Sequence, residues 1–198
     1  MTYFLGLTGG IATGKSTVDK LFREKKIPII DADKIAHQLM LPNEKNYNEI
    51  VKNFGNKVLA SDLTIDRKKL GEIVFSDKIK LTLLNDITHP NIITEIKNQM
   101  AQLEKREEPL VVLDIPLLFE EKLEYLCEGV LLISAPKQLQ LQRLMARNNL
   151  SQSQANQRII SQMPLVEKKK LADYVIENDQ DLGVLKDKVI AILKYLGR

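Results

Sequence analysis

Residues 9 to 16 read Gly9-Gly10-Ile11-Ala12-Thr13-Gly14-Lys15-Ser16, the pattern G-x-x-x-x-G-K-[ST]. Each fixed position has a chemical reason. Glycines let the backbone curl until successive N–H groups point inward at an anion, and a helix opening behind the last glycine adds a favourable dipole. Lys15 supplies a mobile cation for the outer phosphates, and the Ser16 hydroxyl is a ligand for Mg²⁺. Gly10, Ile11, Ala12, Thr13, Gly14, Lys15, Ser16 and Thr17 are therefore the expected contacts of a nucleoside triphosphate. Asp114 closes a short apolar run, where a carboxylate either holds the metal's water shell or simply starts a turn; the loop at Gly9 favours the metal-side role. Arg143 and Arg147 lie four apart, hence on one helix face, and Arg158 follows eleven residues later across Asn148-Asn149. Planar, permanently charged groups so spaced suit a lid closing over a transferred phosphoryl group; the alternative for each is a solvated charged face.

These groups need a frame. Tyr3-Phe4-Leu5-Gly6-Leu7 runs straight into the glycine cluster, and Val18, Leu21 and Phe22 behind it repeat at helical spacing. Four more short apolar runs follow: Ile27-Pro28-Ile29-Ile30, Leu110-Val111-Val112-Leu113, Val130-Leu131-Leu132-Ile133 and Tyr174-Val175-Ile176. Nearly continuous runs separated by helical pattern predict parallel strands buried on both faces, an α/β fold with a five-stranded parallel sheet flanked by helices. Residues 42–108 contain helical periodicity and no convincing strand, with a break expected at His89-Pro90. The expected organisation is one compact unit: a nucleotide-binding core of 1–41 and 109–198, a helical insertion of 42–108 for the acceptor, and a lid over about 143–163. Ser151 with Gln154 predicts a capping box, and Leu182 to Leu196 a closing amphipathic helix.

Composition narrows the function. With 29 Lys+Arg against 26 Asp+Glu the net charge is +3, which suits anionic small molecules and is too slight to argue for nucleic acid. Aromatics are 5% and Trp is absent, so the stacking platforms of single-strand binders are missing. Cys127 stands alone and His37 and His89 are the only histidines, which excludes an intrachain disulfide and a His/Cys zinc cage. No apolar run approaches the roughly 20 residues of a membrane span, and the N-terminus lacks a secretory pattern; a soluble, reduced, cytoplasmic protein without membrane or obligate protein partner is expected. Asn56-Lys57 is followed by Val58-Leu59, so the guanine-reading N-K-x-D of GTPases is absent. A small-molecule kinase fits best. The alternatives are a kinase for another small molecule or nucleotide on the same fold, and a nucleotide-binding regulatory module.

The residues resemble one family in particular. Gly6-Leu7-Thr8-Gly9-Gly10-Ile11 leading into Gly14-Lys15-Ser16-Thr17 looks like the opening of dephospho-coenzyme A kinases. Asp31-Ala32-Asp33, Ile87-Thr88-His89-Pro90, Leu113-Asp114-Ile115-Pro116-Leu117-Leu118-Phe119-Glu120, Arg158-Ile159, Gln162-Met163 and Ala172-Asp173-Tyr174-Val175-Ile176-Glu177-Asn178 then follow in that family's order. The resemblance spans about residues 3 to 180. Two departures stand out: Ala12-Thr13 where the family commonly has Gly-Ser, and Asn148 after Arg147 where Asp is usual. Ala and Thr restrict the loop backbone but keep its N–H groups, so binding is expected to survive.

The resemblance implies transfer of the ATP γ-phosphoryl group to the ribose 3′-hydroxyl of dephospho-coenzyme A, the last step of coenzyme A synthesis, with Mg²⁺ accompanying ATP. A hydroxyl is a poor nucleophile and needs a carboxylate to orient it and take its proton. Asp33, just past a strand end on the rim where α/β sheets collect ligands, is the candidate, and the resemblance points to the same position. Its competing role is a helix N-cap, and Asp31 could take either part. Lys15, Asp33 and Arg147 form the expected catalytic set, with Arg143 and Arg147 on ATP. The resemblance adds His89 as an acceptor-site residue, and the Pro116-Leu117-Leu118 turn either packs the core or lines the acceptor pocket. Lys168-Lys169-Lys170 reads as a solvated face.

Overall fold

The computed structural model describes residues 1–197, in two compact units: Met1–Asp31 with Leu103 onward, and Ala32–Gln102. In the first, β1 (Tyr3–Gly9), β2 (Ile29–Asp31), β3 (Leu110–Asp114), β4 (Gly129–Ser134) and β5 (Tyr174–Glu177) form one sheet of order β2-β3-β1-β4-β5. Every pairing is parallel, with Leu5 opposite Val112 on one side and Gly129 on the other. β3 and β4 are buried at every position, as continuous Val/Leu/Ile runs require when helices cover both faces. The edge strand β5 is less covered, and Val175 is exposed.

One sheet face packs Leu5, Leu7, Val112, Leu131 and Ile133 against Val18, Leu21 and Phe22 of α1 (Lys15–Glu24), together with Leu185 and Val189 of α9 (Leu182–Tyr195). The β1-α1 junction therefore sits on this apolar cluster. Ile27-Pro28 stays outside β2; the Pro28 carbonyl still accepts the Val112 N–H at 2.9 Å, so the chain is already aligned when pairing starts. The remaining helices of this unit are α6 (Lys137–Asn148), α7 (Gln152–Ile160) and α8 (Leu165–Leu171). α7 opens on the expected capping box, in which the Ser151 hydroxyl accepts the Gln154 N–H and the Gln154 side chain accepts the Ser151 N–H.

The second unit holds α2 (Ala32–Leu39), α3 (Lys45–Phe54), α4 (Arg67–Phe75) and most of α5 (Lys78–Lys105). Ile50, Phe54, Val58, Leu70 and Val74 make its core, with Tyr47, Leu84 and Ile87 packed around them. It begins at Ala32, where the sequence boundary is drawn at 42, because α2 packs on α3. Its only extended pairing among the described residues is the bridge between Leu59 and Ile65.

The expected break at His89-Pro90 does not occur: α5 is continuous with Pro90 inside it. A proline removes one N–H, hence one bond to the carbonyl four residues back, while its fixed φ is compatible with a helix. Side chains reinforce the neighbouring turns. Thr88 Oγ1 donates to Leu84 O at 2.7 Å, Asn91 Nδ2 to Ile87 O at 3.3 Å, and Thr94 Oγ1 to Pro90 O at 2.7 Å. Asn91 also donates to Oδ1 of the fully buried Asn46, which donates to Thr88 O, tying α3 to α5 beside the proline. No helix among the described residues is long and apolar enough to cross a membrane.

Candidate active site

The loop between β1 and α1 is shaped from several directions. Gly14 takes φ 97°, and a Cβ there would lie 2.2 Å from Asn178 Nδ2, so only glycine fits. Asn178, buried just past β5, donates to Thr13 O at 2.8 Å, and Thr13 Oγ1 donates back to Gly10 O at 2.8 Å. No side chain caps the start of α1, so its first N–H groups stay available to an anion. Ser16 is exposed in that first turn.

Lys15 Nζ donates to Asp114 Oδ1 at the end of β3, so the structure brings together the lysine and the acidic residue that the sequence singles out. Burial pushes the Asp114 carboxyl up to about 6, with the Lys15 ammonium pulling in the opposite direction. Asp31 takes a different partner: Arg23 Nη2 lies 3.9 Å from its Oδ2. Asp33 is exposed in the first turn of α2, inside the helix and not at its cap. His89 is half-buried on α5.

Arg143 and Arg147 both lie on α6. Arg143 is half-buried, and its Nη1 is a buried donor without an acceptor. Arg147 is exposed, and its Nε donates to Asn148 Oδ1 at 2.9 Å. Arg158 is exposed on α7. A cavity of about 480 Å³ opens beside Gly10, walled by Ser134, Gln140, Gln162, Leu165 and Glu177 among others.

The Pro116-Leu117-Leu118 turn divides. Thr8 Oγ1 donates to Pro116 O at 3.0 Å, and Leu117 is exposed. Leu118 is fully buried, with Cδ1 2.9 Å from where a Cβ on Gly6 would stand, so it packs into the core beneath β1. The lysine triplet also needs correcting. Lys168 is fully buried, its Nζ 2.8 Å from Glu120 Oε1 and 3.4 Å from Gly9 O, whereas Lys169 and Lys170 are exposed. The 3.6-residue twist of α8 turns one of three consecutive lysines inward, where the Glu120 carboxylate compensates its charge.

The dephospho-CoA kinase family profile matches residues 3–183. A dephospho-CoA kinase of Lactobacillus johnsonii is 54% identical over 198 residues, the whole of both chains. A dephospho-CoA kinase structure from Campylobacter jejuni superposes with TM-score 0.76 at 36% identity, covering 99% of this chain and 98% of the other. The structure of TT1252 from Thermus thermophilus gives TM-score 0.81 at 35% identity, covering 99% and 97%. This chain belongs to the dephospho-CoA kinase family. It is an ATP-dependent kinase on a parallel five-stranded fold.

Both departures from the common family sequence have a visible consequence. Ala12 sits at φ 59°, a left-handed conformation that costs a non-glycine residue about 1–2 kcal/mol, while Thr13 keeps a hydroxyl that closes the loop on Gly10. Asn148 Oδ1 accepts from Arg147 Nε, a contact in which the acceptor carries no charge. Sequence reasoning assigned no role to Glu120, Gln162 and Asn178, which lie within the family-like motifs, and did not single out Gln140. The contacts of Gln140, Gln162 and Asn178 with the loop span 129 to 165 residues of chain, beyond the reach of any local pattern, and Glu120 reaches it only through Lys168.

Proposed function

We propose that this chain transfers the γ-phosphoryl group of ATP to the ribose 3′-hydroxyl of dephospho-CoA, giving CoA and ADP. The observation that carries the reading is a glycine loop with Lys15 paired to Asp114, in a chain that aligns over its whole length with a dephospho-CoA kinase. Amides of the loop and of the first turn of α1 hold the outer phosphates, and Lys15 turns from Asp114 to them. The unpartnered Arg143 Nη1 is a donor already desolvated, which suits charge that develops during transfer. Arg147, exposed on the same helix, closes over the nucleotide.

One hydroxyl, Ser16, and one carboxylate, Asp114, suit Mg²⁺, a hard cation that takes most of its oxygens from phosphates and water. No cluster of three or more His, Cys, Asp or Glu among the described residues forms a protein cage for an ion, consistent with a metal carried chiefly by the nucleotide. When bound, Mg²⁺ neutralises charge on the phosphates. Asp33 orients the 3′-hydroxyl and takes its proton as the O3′–Pγ bond forms, while the bond from Pγ to the bridging oxygen breaks and ADP departs with the electron pair. His89, Pro116 and Leu117 contact the acceptor, and Leu118 supports their turn from the core.

The test is an end-point reaction with ATP, Mg²⁺ and dephospho-CoA, read by mass spectrometry and by phosphate regiochemistry. One added phosphoryl on the 3′-oxygen, dependent on Mg²⁺, is the expected product. ADP formed without that product would discard the acceptor assignment.

A further inference from the structure

Two glutamines outside the reaction scheme grip a single residue of the phosphate loop. Gln140 of α6, only 3% exposed, donates through Nε2 to Ile11 O at 2.7 Å. Gln162, two residues past α7, accepts the Ile11 N–H through Oε1 at 2.8 Å. Both backbone polar groups of Ile11 are thus satisfied by side chains distant in sequence.

The next residue is fixed to the loop as well. The Met163 N–H donates to Glu120 Oε1 at 3.1 Å; that oxygen pairs with the fully buried Lys168, and Lys168 reaches Gly9 O. A buried ammonium costs several kcal/mol unless well paired, and an apolar side chain would fill the space at lower cost. Packing alone therefore does not account for the arrangement. Its polar ends all meet at residues 9–11 of the loop and residues 162–163 after α7.

The loop needs such support. Phosphate binding depends on N–H groups fixed before the ligand arrives, because an amide that must be reoriented contributes less to affinity. Thr13 and Asn178 secure the second half of the loop, as described above. The first half contains Gly9 and Gly10, the most permissive residue type, followed by the left-handed Ala12. Ile11 is the residue between them, and Gln140 and Gln162 hold it from α6 and from the end of α7, the elements that carry Arg143, Arg147 and Arg158.

We propose that Gln162, seconded by Gln140, is a positioning residue for ATP: by holding the Ile11 peptide it sets the curl of the phosphate loop relative to the arginine-bearing helices α6 and α7. The inference rests on the kinase reading above for its nucleotide and deepens it by naming what preorganises the loop.

The decisive variant is Gln162→Met, which keeps length and volume and removes the acceptor. Binding of a fluorescent methylanthraniloyl-ATP is measured alongside steady-state kinetics and thermal melting. The expected result is a rise of about tenfold or more in both the nucleotide Kd and KM for ATP. KM for dephospho-CoA stays within twofold and Tm within about 1 °C. Nucleotide Kd and KM for ATP within twofold of the unmodified protein would overturn the proposal, as would equal losses for both substrates. If Gln162→Met does not fold, Gln140→Met removes the other grip on the same peptide and is held to the same criteria. Failure of the acceptor assignment is distinguishable: the unmodified protein would then bind the fluorescent nucleotide without phosphorylating dephospho-CoA, and the Kd comparison would still decide the role of Gln162.

Discussion

Lys15 and Asp114 show how one contact serves both stability and chemistry. Asp114 is buried at the end of β3, where an unpaired carboxylate would be costly, and the Lys15 ammonium supplies its charge partner. Lys15→Ala is expected to lower kcat roughly 10³-fold, the scale for losing one preorganised charge, and to destabilise the protein by about 2–3 kcal/mol by stranding Asp114. Lys15→Ala/Asp114→Asn should regain most of that stability in urea melts without regaining turnover. A Lys15→Ala enzyme with undiminished kcat would remove the phosphate-loop account. Asp33 offers a cleaner separation because it is exposed and has no core to disturb. Asp33→Asn should drop kcat by roughly 10²–10⁴ while ATP affinity, read by calorimetry, stays within twofold. Undiminished turnover would end its role as proton acceptor.

Among the elements, α5 is where local rules mislead and tertiary structure decides. A proline in the middle of a long apolar pattern predicts a break, yet it forfeits one hydrogen bond among the many of a 28-residue helix that buries Ile96 and packs Leu84 and Ile87 against the core of its unit. Pro90→Ala restores the missing N–H and should stabilise the protein by about 1–3 kcal/mol, seen as a higher urea midpoint. A lower midpoint would mean that the proline fits this helix better than an alanine does. The five strands were legible because each is a short, nearly unbroken apolar run, and the phosphate loop because its spacing is local. The inward turn of Lys168 was not legible, since it depends on Glu120, which the fold brings opposite it. The same holds for Gln140, Gln162 and Asn178. Glutamine and asparagine have no periodicity to betray them, and their partners lie in the loop at the far end of the chain.

At the scale of the molecule, each compact unit has an apolar cluster of its own, and the phosphate loop, Asp114 and all three arginines of the site belong to the unit built on the sheet. That unit carries a built-in reporter. Cys127 is the only cysteine of the chain, and its Sγ stands 2.7 Å from where a Cβ on Gly6 would project, so it is packed against β1. Burial pushes its thiol up to about 12, and the charges of Glu128, Glu124 and Asp173 add to the effect. Alkylation needs the thiolate, so at pH 8 the folded protein should react with iodoacetamide roughly 10³-fold more slowly than a free cysteine. Fast reaction then requires this unit to open, and ligands that bind the folded form suppress opening by mass action. ATP with Mg²⁺ at a hundred times its Kd stabilises the folded form by about 2.7 kcal/mol, so Cys127 labelling should slow by a further factor of about 100 wherever closing outpaces alkylation. Labelling at the rate of a free thiol would refute the packing of the half-buried Cys127 against β1. Labelling that ignores saturating ATP would instead separate the nucleotide from the sheet unit, and with it from the loop that Gly14, Lys15 and Asn178 shape.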